Sequence, residues 1–280
     1  MNLSGPPFSV VILAADRESN DPVAQASEVS CKALTPVSGR PMVLRVLDAL
    51  EEAREVDTRI LAGPAMTSVV QNAELNELVS SGQVQWFAPQ ATPSSSAFSV
   101  LQSLPEDVPV LVTTADHALL TAAMVDHFCA AARNSDCDVL AGVARHDLVA
   151  AAFPDTLRTV TKLKDGGFCG CNIFAFMTPK ARLAANFWRK VESERKKPLR
   201  VVKVLGWSAV LRYLVGQLTL GYALGQLSRR MNLTVGVVEM PFAEAAVDVD
   251  KVADWLLVES ILAERNKRAP FEGLSCDPEP

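Results

Sequence analysis

Carboxylates stand at two places where apolar segments end. Asp116 directly follows the buried-strand pattern VPVLVTTA, and Asp248 and Asp250 alternate with valine just before the last helical segment. Mg²⁺ prefers oxygen ligands and is commonly held by one or two carboxylates together with substrate phosphates. The spacing therefore predicts a magnesium site formed by Asp116, Asp248 and Asp250. The alternative is that each acid only favours the start of the helix that follows it.

Cationic side chains flank the loop that follows the first apolar segment, residues 10–15. Arg17 lies at its beginning and Lys32 near its end. A lysine is a compact point charge that suits phosphate, and the loop contains neither GxxxxGK[ST] nor GxGxxG. We expect Arg17 and Lys32 to hold phosphates by charge rather than within a glycine-rich cradle. A solvated lysine before a helix is the other interpretation of Lys32.

A second cationic group lies in the middle of the chain. Lys162 and Lys164 occupy alternate positions of a predicted strand, with Arg158 upstream at the same parity. Alternate residues of a strand share a face, so this row suits an anionic substrate. The alternative is a solvated edge that uses lysine to discourage aggregation.

The elements that position these residues follow from the apolar periodicity. Strands are predicted at residues 10–15, 60–62, 84–88, 108–115 and 139–143, and helices at 41–53, 66–80 and 121–132, with a serine-capped helix near residue 94. A hairpin is predicted around the turn at residues 165–167. The alternation of strand and helix predicts an α/β fold with a mixed, mostly parallel sheet and helices on both faces. In such sheets ligands collect at the carboxyl ends of the strands.

The second half of the chain carries a predicted helical insertion at about residues 178–231. We expect one domain over residues 1–269, this insertion included, and a flexible tail at 270–280. Residues 199–231 are apolar, with Lys203, Arg212, Arg229 and Arg230 spaced along them. They fit a lid or a membrane-surface helix pair; helices packed on the sheet, or at a contact between copies of the chain, fit the pattern as well.

Bulk properties exclude several classes of protein. The net charge of −5 argues against a nucleic-acid-binding protein. No signal peptide and no run of about 18 apolar residues is present. The six cysteines contain no CxxC pair, which is typical of reduced thiols and predicts a cytoplasmic protein.

Three motifs together resemble the MobA-like NTP transferases. They are VILAADR…CKALTPVSGRPM, which is similar to the family's LAAGxGxRM…PKxLxPVxGKPM opening, VLVTTADHALLT, which is similar to its strand ending in aspartate, and VDVDKVADW, which is similar to its closing DIDTPEDL. The resemblance covers residues 9–144 and, less closely, 234–266. Asp16 stands where the family has a glycine, and Arg17 falls earlier in the loop than the family's arginine.

The resemblance implies a Rossmann-like GT-A fold and Mg²⁺-dependent transfer of a nucleotidyl group, with release of pyrophosphate. The implied donor is an NTP, CTP or GTP first, and the acceptor is a phosphorylated small molecule such as a sugar phosphate, an alcohol phosphate or a lipid headgroup precursor. The implied catalytic residues are Arg17, Lys32 and Asp116, and the implied metal ligands are Asp116 and Asp250 with Asp248 close by. Implied nucleotide contacts are Leu13, Ala14, Ala15, Arg17, Lys32, Ser94, Ser95 and Ser96, and the acceptor contacts are Lys162, Lys164 and Asn172.

Two other functions stay open from the sequence. A GT-A glycosyltransferase shares the fold and an acidic metal site, but uses a nucleotide-sugar and releases a nucleoside diphosphate. The segment KALTPVSGRPM argues against it. A non-catalytic nucleotide-binding protein is the second, and the replaced loop glycines are its best support.

Overall fold

The first apolar segment forms β1 (Phe8–Leu13), an inner strand of an eight-stranded sheet. The computed structural model describes residues 5–16, 20–154, 156, 158–193 and 206–268. The other strands in these ranges are Pro36–Val37 (β2), Arg40–Pro41 (β3), Val56–Ala62 (β4), Gln85–Phe87 (β5), Val110–Thr114 (β6), Val139–Arg145 (β7), Thr161–Leu163 (β8), Gly166–Phe176 (β9) and Val235–Glu239 (β10). The helices are Pro22–Ala26 (α1), Met42–Glu52 (α2), Met66–Gln71 (α3), Ala73–Ser80 (α4), Pro93–Ser103 (α5), Ala122–Arg133 (α6), His146–Ala152 (α7), Arg182–Ser193 (α8), Trp207–Leu214 (α9), Leu220–Met231 (α10) and Val252–Arg268 (α11).

The sheet is mixed and mostly parallel, which confirms the predicted architecture. Its order is β10-β7-β9-β6-β1-β4-β5, and β8 pairs with β9 beside this path. β1 runs parallel to both β4 and β6, whereas β9 runs antiparallel to β6 and β7. Because β1 and β6 are parallel neighbours, their carboxyl ends reach the same edge of the sheet.

Helices cover both faces of the sheet, as predicted. In β1, Val10 and Ile12 pack into the core on the α2 and α6 side. Val11 points to the opposite face and packs into the core that includes residues of α5 and α8. Burying such a side chain fully stabilises the fold by about 1.5–3 kcal/mol, so this alternation fixes which face of β1 meets which helices.

Two helix starts differ from their prediction. The single helix expected at residues 66–80 is divided at Asn72, whose side chain accepts a hydrogen bond from the Leu75 N–H at 2.9 Å and so caps α4. A serine was the expected cap of α5, but Thr92 holds that position and accepts from the Ser95 N–H. Both differences arise because short polar side chains compete for the free N–H groups of a helix start.

The predicted insertion is helical wherever the structure describes it. Within residues 178–193 and 206–231 the chain forms α8, α9, α10 and one 3-10 turn, and no strand. Residues 194–205 of the insertion, and the tail 270–280, lie outside the described residues. In the described ranges, no helix is both long and apolar enough to cross a lipid bilayer.

Candidate active site

A cavity of about 330 Å³ opens at the carboxyl ends of β1 and β6. The two ends are joined there because the Ala115 N–H donates to the Leu13 carbonyl at 2.9 Å. Several predicted site residues line this cavity: Leu13, Ala14, Ala15, Lys32, Asp116 and Asp250. These residues therefore meet at the carboxyl edge of the sheet, which is the edge that the alternation of strand and helix predicts.

Lys32 is held in the cavity by its own backbone. It begins a 3-10 turn, Lys32–Leu34, and its N–H donates to Asp16 Oδ1 at 3.0 Å. Asp16 also lines the cavity, and burial raises the pKa of its carboxyl. The acid that replaces the family glycine thus fixes the backbone of the lysine that follows it in the site.

Asp250 reaches the same cavity through the segment before α11. The N–H of the fully buried Val249 donates to the Asp116 carbonyl at 3.1 Å, which ties the two acidic segments together. The Asp250 N–H donates to Asp254 Oδ2 at 3.2 Å, and Trp255 Nε1 donates to the Pro36 carbonyl at 2.9 Å. α11 is therefore anchored to the loop after Lys32 as well as to the strand end of Asp116.

The ammonium group of Lys32 lies between two carboxylates. Its Nζ is 2.6 Å from Asp116 Oδ2 and 3.4 Å from Asp250 Oδ1. Burial lowers the pKa of Lys32. The charge and hydrogen bond of Asp116 and the charge of Asp250 raise this pKa by more than burial lowers it, so the net shift is upward. Lys32 consequently stays protonated at neutral pH and keeps a positive charge at the floor of the cavity.

The carboxylates of Asp116 and Asp250 could hold a divalent ion together with the phosphates of a bound nucleotide. Asp116 Oδ1 is buried and receives no hydrogen bond from the described residues, while the Asp250 side chain is 62% exposed. Oxygen donors of this kind are what Mg²⁺ prefers. Across the described ranges, no three His, Cys, Asp or Glu side chains are grouped closely enough to hold a metal by themselves.

Asp248 faces a second cavity, of about 360 Å³, that Asp250 also lines. Its Oδ2 accepts from Asn172 Nδ2 at 2.8 Å, and its Oδ1 lies 3.4 Å from Arg158 Nη1. Burial, followed by the charges of Asp250 and Asp116, raises the pKa of Asp248 to about 6. Asp248 is thus oriented toward Asn172 and Arg158 rather than toward Lys32.

Arg158, which the sequence placed in a cationic row with Lys162 and Lys164 but not among the implied acceptor contacts, lines the second cavity. Its side chain is only 8% exposed, and Nη2 lies 3.3 Å from Asp254 Oδ1. Its Nε and Nη2 make no hydrogen bond within the part of the chain described. Arg158 shares the sequence parity of Lys162 and Lys164. It nevertheless precedes the edge strand, which begins at Thr161, and is not part of it.

Other predicted residues lie away from both cavities or outside the description. Lys162 and Lys164 are exposed, and neither lines a cavity, although Thr161 does. Ser94 and Ser96 are buried in α5, and only the neighbouring Pro93 lines the first cavity. Ser95 donates through its N–H to Thr92. Arg17 lies outside the described residues.

The sheet, with Asp116, Lys32 and Asp250 gathered beside the carboxyl ends of β1 and β6, has the fold class of the nucleotide-handling transferases. The model of the MobA-like NTP transferase domain matches residues 10–204. The chain therefore belongs to the MobA-like NTP transferase family. No curated protein sequence shows a significant match.

Solved structures share the fold over nearly the whole chain. A hypothetical transferase from Thermus thermophilus is 27% identical, with a TM-score of 0.73 over 89% of this chain and 99% of that one. A 4-diphosphocytidyl-2C-methyl-D-erythritol synthase from Anaerococcus prevotii is 16% identical, with a TM-score of 0.59 over 92% and 97%. A CMP:2-keto-3-deoxy-manno-octonic acid synthetase complexed with CTP is 13% identical, with a TM-score of 0.56 over 92% and 99%.

Proposed function

We propose that this member of the family is a Mg²⁺-dependent nucleotidyltransferase. It transfers NMP from an NTP to a phosphorylated small molecule and releases pyrophosphate. The observation that carries the proposal is Lys32 Nζ between Asp116 and Asp250, in a cavity that adjoins a second one across Asp250. Two adjoining cavities suit two substrates that must react with each other.

The first cavity suits the NTP. Lys32 supplies the positive charge, and we assign Arg17 the same role toward the β- and γ-phosphates. Leu13, Ala14 and Ala15 bring backbone close to the nucleotide at the end of β1. Ser94, Ser95 and Ser96 lie in the first turns of α5, next to Pro93 of the cavity wall, and we assign that helix start to the base and ribose side.

The reaction needs positioning more than proton transfer. An oxygen of the acceptor phosphate forms a bond to the α-phosphorus, the bond from the α-phosphorus to the bridging oxygen breaks, and pyrophosphate leaves with that electron pair. The attacking oxygen is already an anion, so no general base is required. The residues contribute by aligning two anions and by stabilising charge that develops on the leaving group.

Asp116 and Asp250 would hold the Mg²⁺, with Asp248 nearby. When bound, the ion supplies positive charge that neutralises and orients the phosphates. Lys32 contributes a further positive charge beside the same carboxylates, and Asp16 keeps its backbone in place. Four acids line this cavity: Asp116 and Asp250 would be balanced by the ion and Lys32, Asp16 holds the Lys32 backbone, and Asp21 caps α1 by accepting from the Val23 N–H.

The second cavity suits the acceptor. Arg158, whose guanidinium is paired with Asp248 and Asp254, lines this cavity together with Asn172. Asn172 adopts a left-handed backbone with φ of 43°, an unusual conformation within a strand. Lys162 lies on the neighbouring β8 and Lys164 directly follows that strand; both are assigned to any part of the acceptor that extends out of the cavity.

Pyrophosphate release with a panel of substrates tests the proposal. The panel combines CTP, GTP, ATP and UTP with sugar phosphates and alcohol phosphates, and CTP comes first because two structurally similar enzymes are named for cytidylyl chemistry or were solved with CTP. We expect pyrophosphate from at least one pair, dependent on Mg²⁺. A parallel arm offers nucleotide-sugars, and release of nucleoside diphosphate there, with none of pyrophosphate, would instead identify a glycosyltransferase.

A further inference from the structure

The short helix α9 presents an apolar face to solvent. Trp207, Leu211 and Leu214 are 71%, 64% and 75% exposed, and their spacing of four and three residues places them on one face of a helix. Val215, directly after the helix, is also exposed. Ala209, on the opposite face, is fully buried. A contiguous exposed face of large apolar residues marks an interaction surface.

The helix pair that carries this face is braced internally. The Arg212 guanidinium lies 4.4 Å above the ring of Tyr222 in α10, and the Tyr222 hydroxyl donates to Ser208 Oγ at 3.1 Å. α9 is therefore fixed against α10, and its outward face is a property of the folded protein. The Leu220 N–H at the start of α10 donates to Asp165 in the β8–β9 turn.

The surroundings of the apolar face are basic. Residues 206–238, all of them described, contain no Asp or Glu and three arginines, in a chain whose net charge is −5. These arginines, Arg212, Arg229 and Arg230, are all exposed. An apolar helix face with a tryptophan and surrounding cations is typical of helices that lie on anionic lipid.

We propose that α9 docks the protein on the surface of an anionic lipid bilayer, with Trp207, Leu211 and Leu214 inserted at the headgroup level. A symmetric contact between two copies would bring the same arginines of both chains together, and like charges at an interface are unfavourable. A stable dimer also needs about 800 Å² from each partner, more than the outward side of one eight-residue helix supplies. An anionic bilayer complements both features, because its headgroups attract the arginines and its apolar interior accepts the apolar face of α9.

Vesicle flotation of the full chain tests the proposal without depending on the activity. We expect binding to vesicles of phosphatidylcholine with 30% phosphatidylglycerol, and weak binding to pure phosphatidylcholine. Trp207→Ser with Leu211→Ser should reduce the bound fraction about tenfold. Arg229→Gln with Arg230→Gln should weaken the affinity for anionic vesicles about fivefold for each charge removed. Val70→Ser with Leu256→Ser removes two apolar side chains of matched exposure elsewhere and should change nothing.

Tryptophan fluorescence gives a second readout. Trp207 is the most exposed of the four tryptophans, since Trp86, Trp188 and Trp255 are partly buried. Anionic vesicles should shift the emission to the blue, and Trp207→Phe should bind but lose that shift. The proposal is overturned if the wild type fails to bind anionic vesicles or binds neutral vesicles equally well. It is also overturned if the protein forms a concentration-dependent dimer that the α9 variants disrupt.

Discussion

Lys32 and Asp116, 84 positions apart in the chain, are joined by a contact of 2.6 Å between Nζ and Oδ2 at the carboxyl edge of the sheet. The contact links the first loop to the end of β6, and the segment before α11 brings Asp250 to the same ammonium group. Among the described residues, Lys32 is the one whose charge contacts both Asp116 and Asp250. Its replacement is the most informative change to the first cavity.

Lys32→Ala should lower kcat/KM for the NTP about 10²–10³-fold, the loss expected when one stabilising group for developing charge is removed. The removal also leaves Asp116 and Asp250 close together without their cation. Steady-state kinetics with varied NTP measure the effect. Lys267→Ala removes an exposed lysine of α11 outside both cavities and is the matched control; equal NTP kinetics in the two variants would contradict the role of Lys32.

Asp116→Asn should abolish turnover while the chain stays folded. The amide keeps the size of the side chain but removes the charge that we assign to the metal. Circular dichroism reports the fold and pyrophosphate release reports the turnover, with Asp107→Asn, an exposed loop acid, as the control. Normal turnover in Asp116→Asn would remove this residue from the mechanism.

The raised pKa of Asp248 predicts a pH dependence of stability. In the folded protein this pKa is about 6 because of burial and the nearby charges of Asp250 and Asp116, above its usual value of 3.8. The folded state therefore binds the proton more tightly than the unfolded state, and the stabilisation present below pH 4 is lost as the pH rises through 6. Urea unfolding in EDTA measures the free energy between pH 4 and 7. Asp248→Asn should flatten this slope and Asp107→Asn should not; an unchanged slope in Asp248→Asn would assign the pH dependence to other groups.

Arg158→Met should weaken both stability and acceptor binding. Its removal leaves Asp248 and Asp254 without a buried counter-charge, and breaking such a pair costs about 3 kcal/mol. Arg158→Lys keeps the charge with fewer donors, so it should fold and show an acceptor KM raised about tenfold with the NTP KM unchanged. If the double variant Lys162→Ala, Lys164→Ala raises the acceptor KM and Arg158→Lys does not, the acceptor lies along β8 instead.

The sequence was sufficient for the parts of the site that depend on one strand or one motif. Asp116 follows a strand with a continuous apolar pattern. The rule for parallel sheets places the carboxyl end of that strand at the ligand-binding edge. Lys32 and the hairpin after it belong to a motif of fixed order. The orientation of Asp248 could not be predicted, because it depends on Asn172, 76 positions away in sequence.

Lys162 in β8 and Lys164 just after it show where periodicity fails. Arg158, Lys162 and Lys164 share a parity, but the strand begins only at Thr161. Residues before a strand do not alternate with it, so Arg158 turns into the second cavity while Lys162 stays exposed. A short edge strand contains too few residues for its apolar pattern to predict where the strand begins.

Metal binding in the presence of nucleotide tests the central claim most directly, since the claim is that Asp116 and Asp250 act together beside Lys32. Free Mn²⁺ is measured by electron paramagnetic resonance during titration of the protein with CTP or GTP present. We predict one tightly bound Mn²⁺ in the wild type and in Asp107→Asn, and at least about tenfold weaker binding in Asp116→Asn and in Asp250→Asn. Wild-type affinity in both of those variants, or no bound Mn²⁺ in the wild type with either nucleotide, would contradict it.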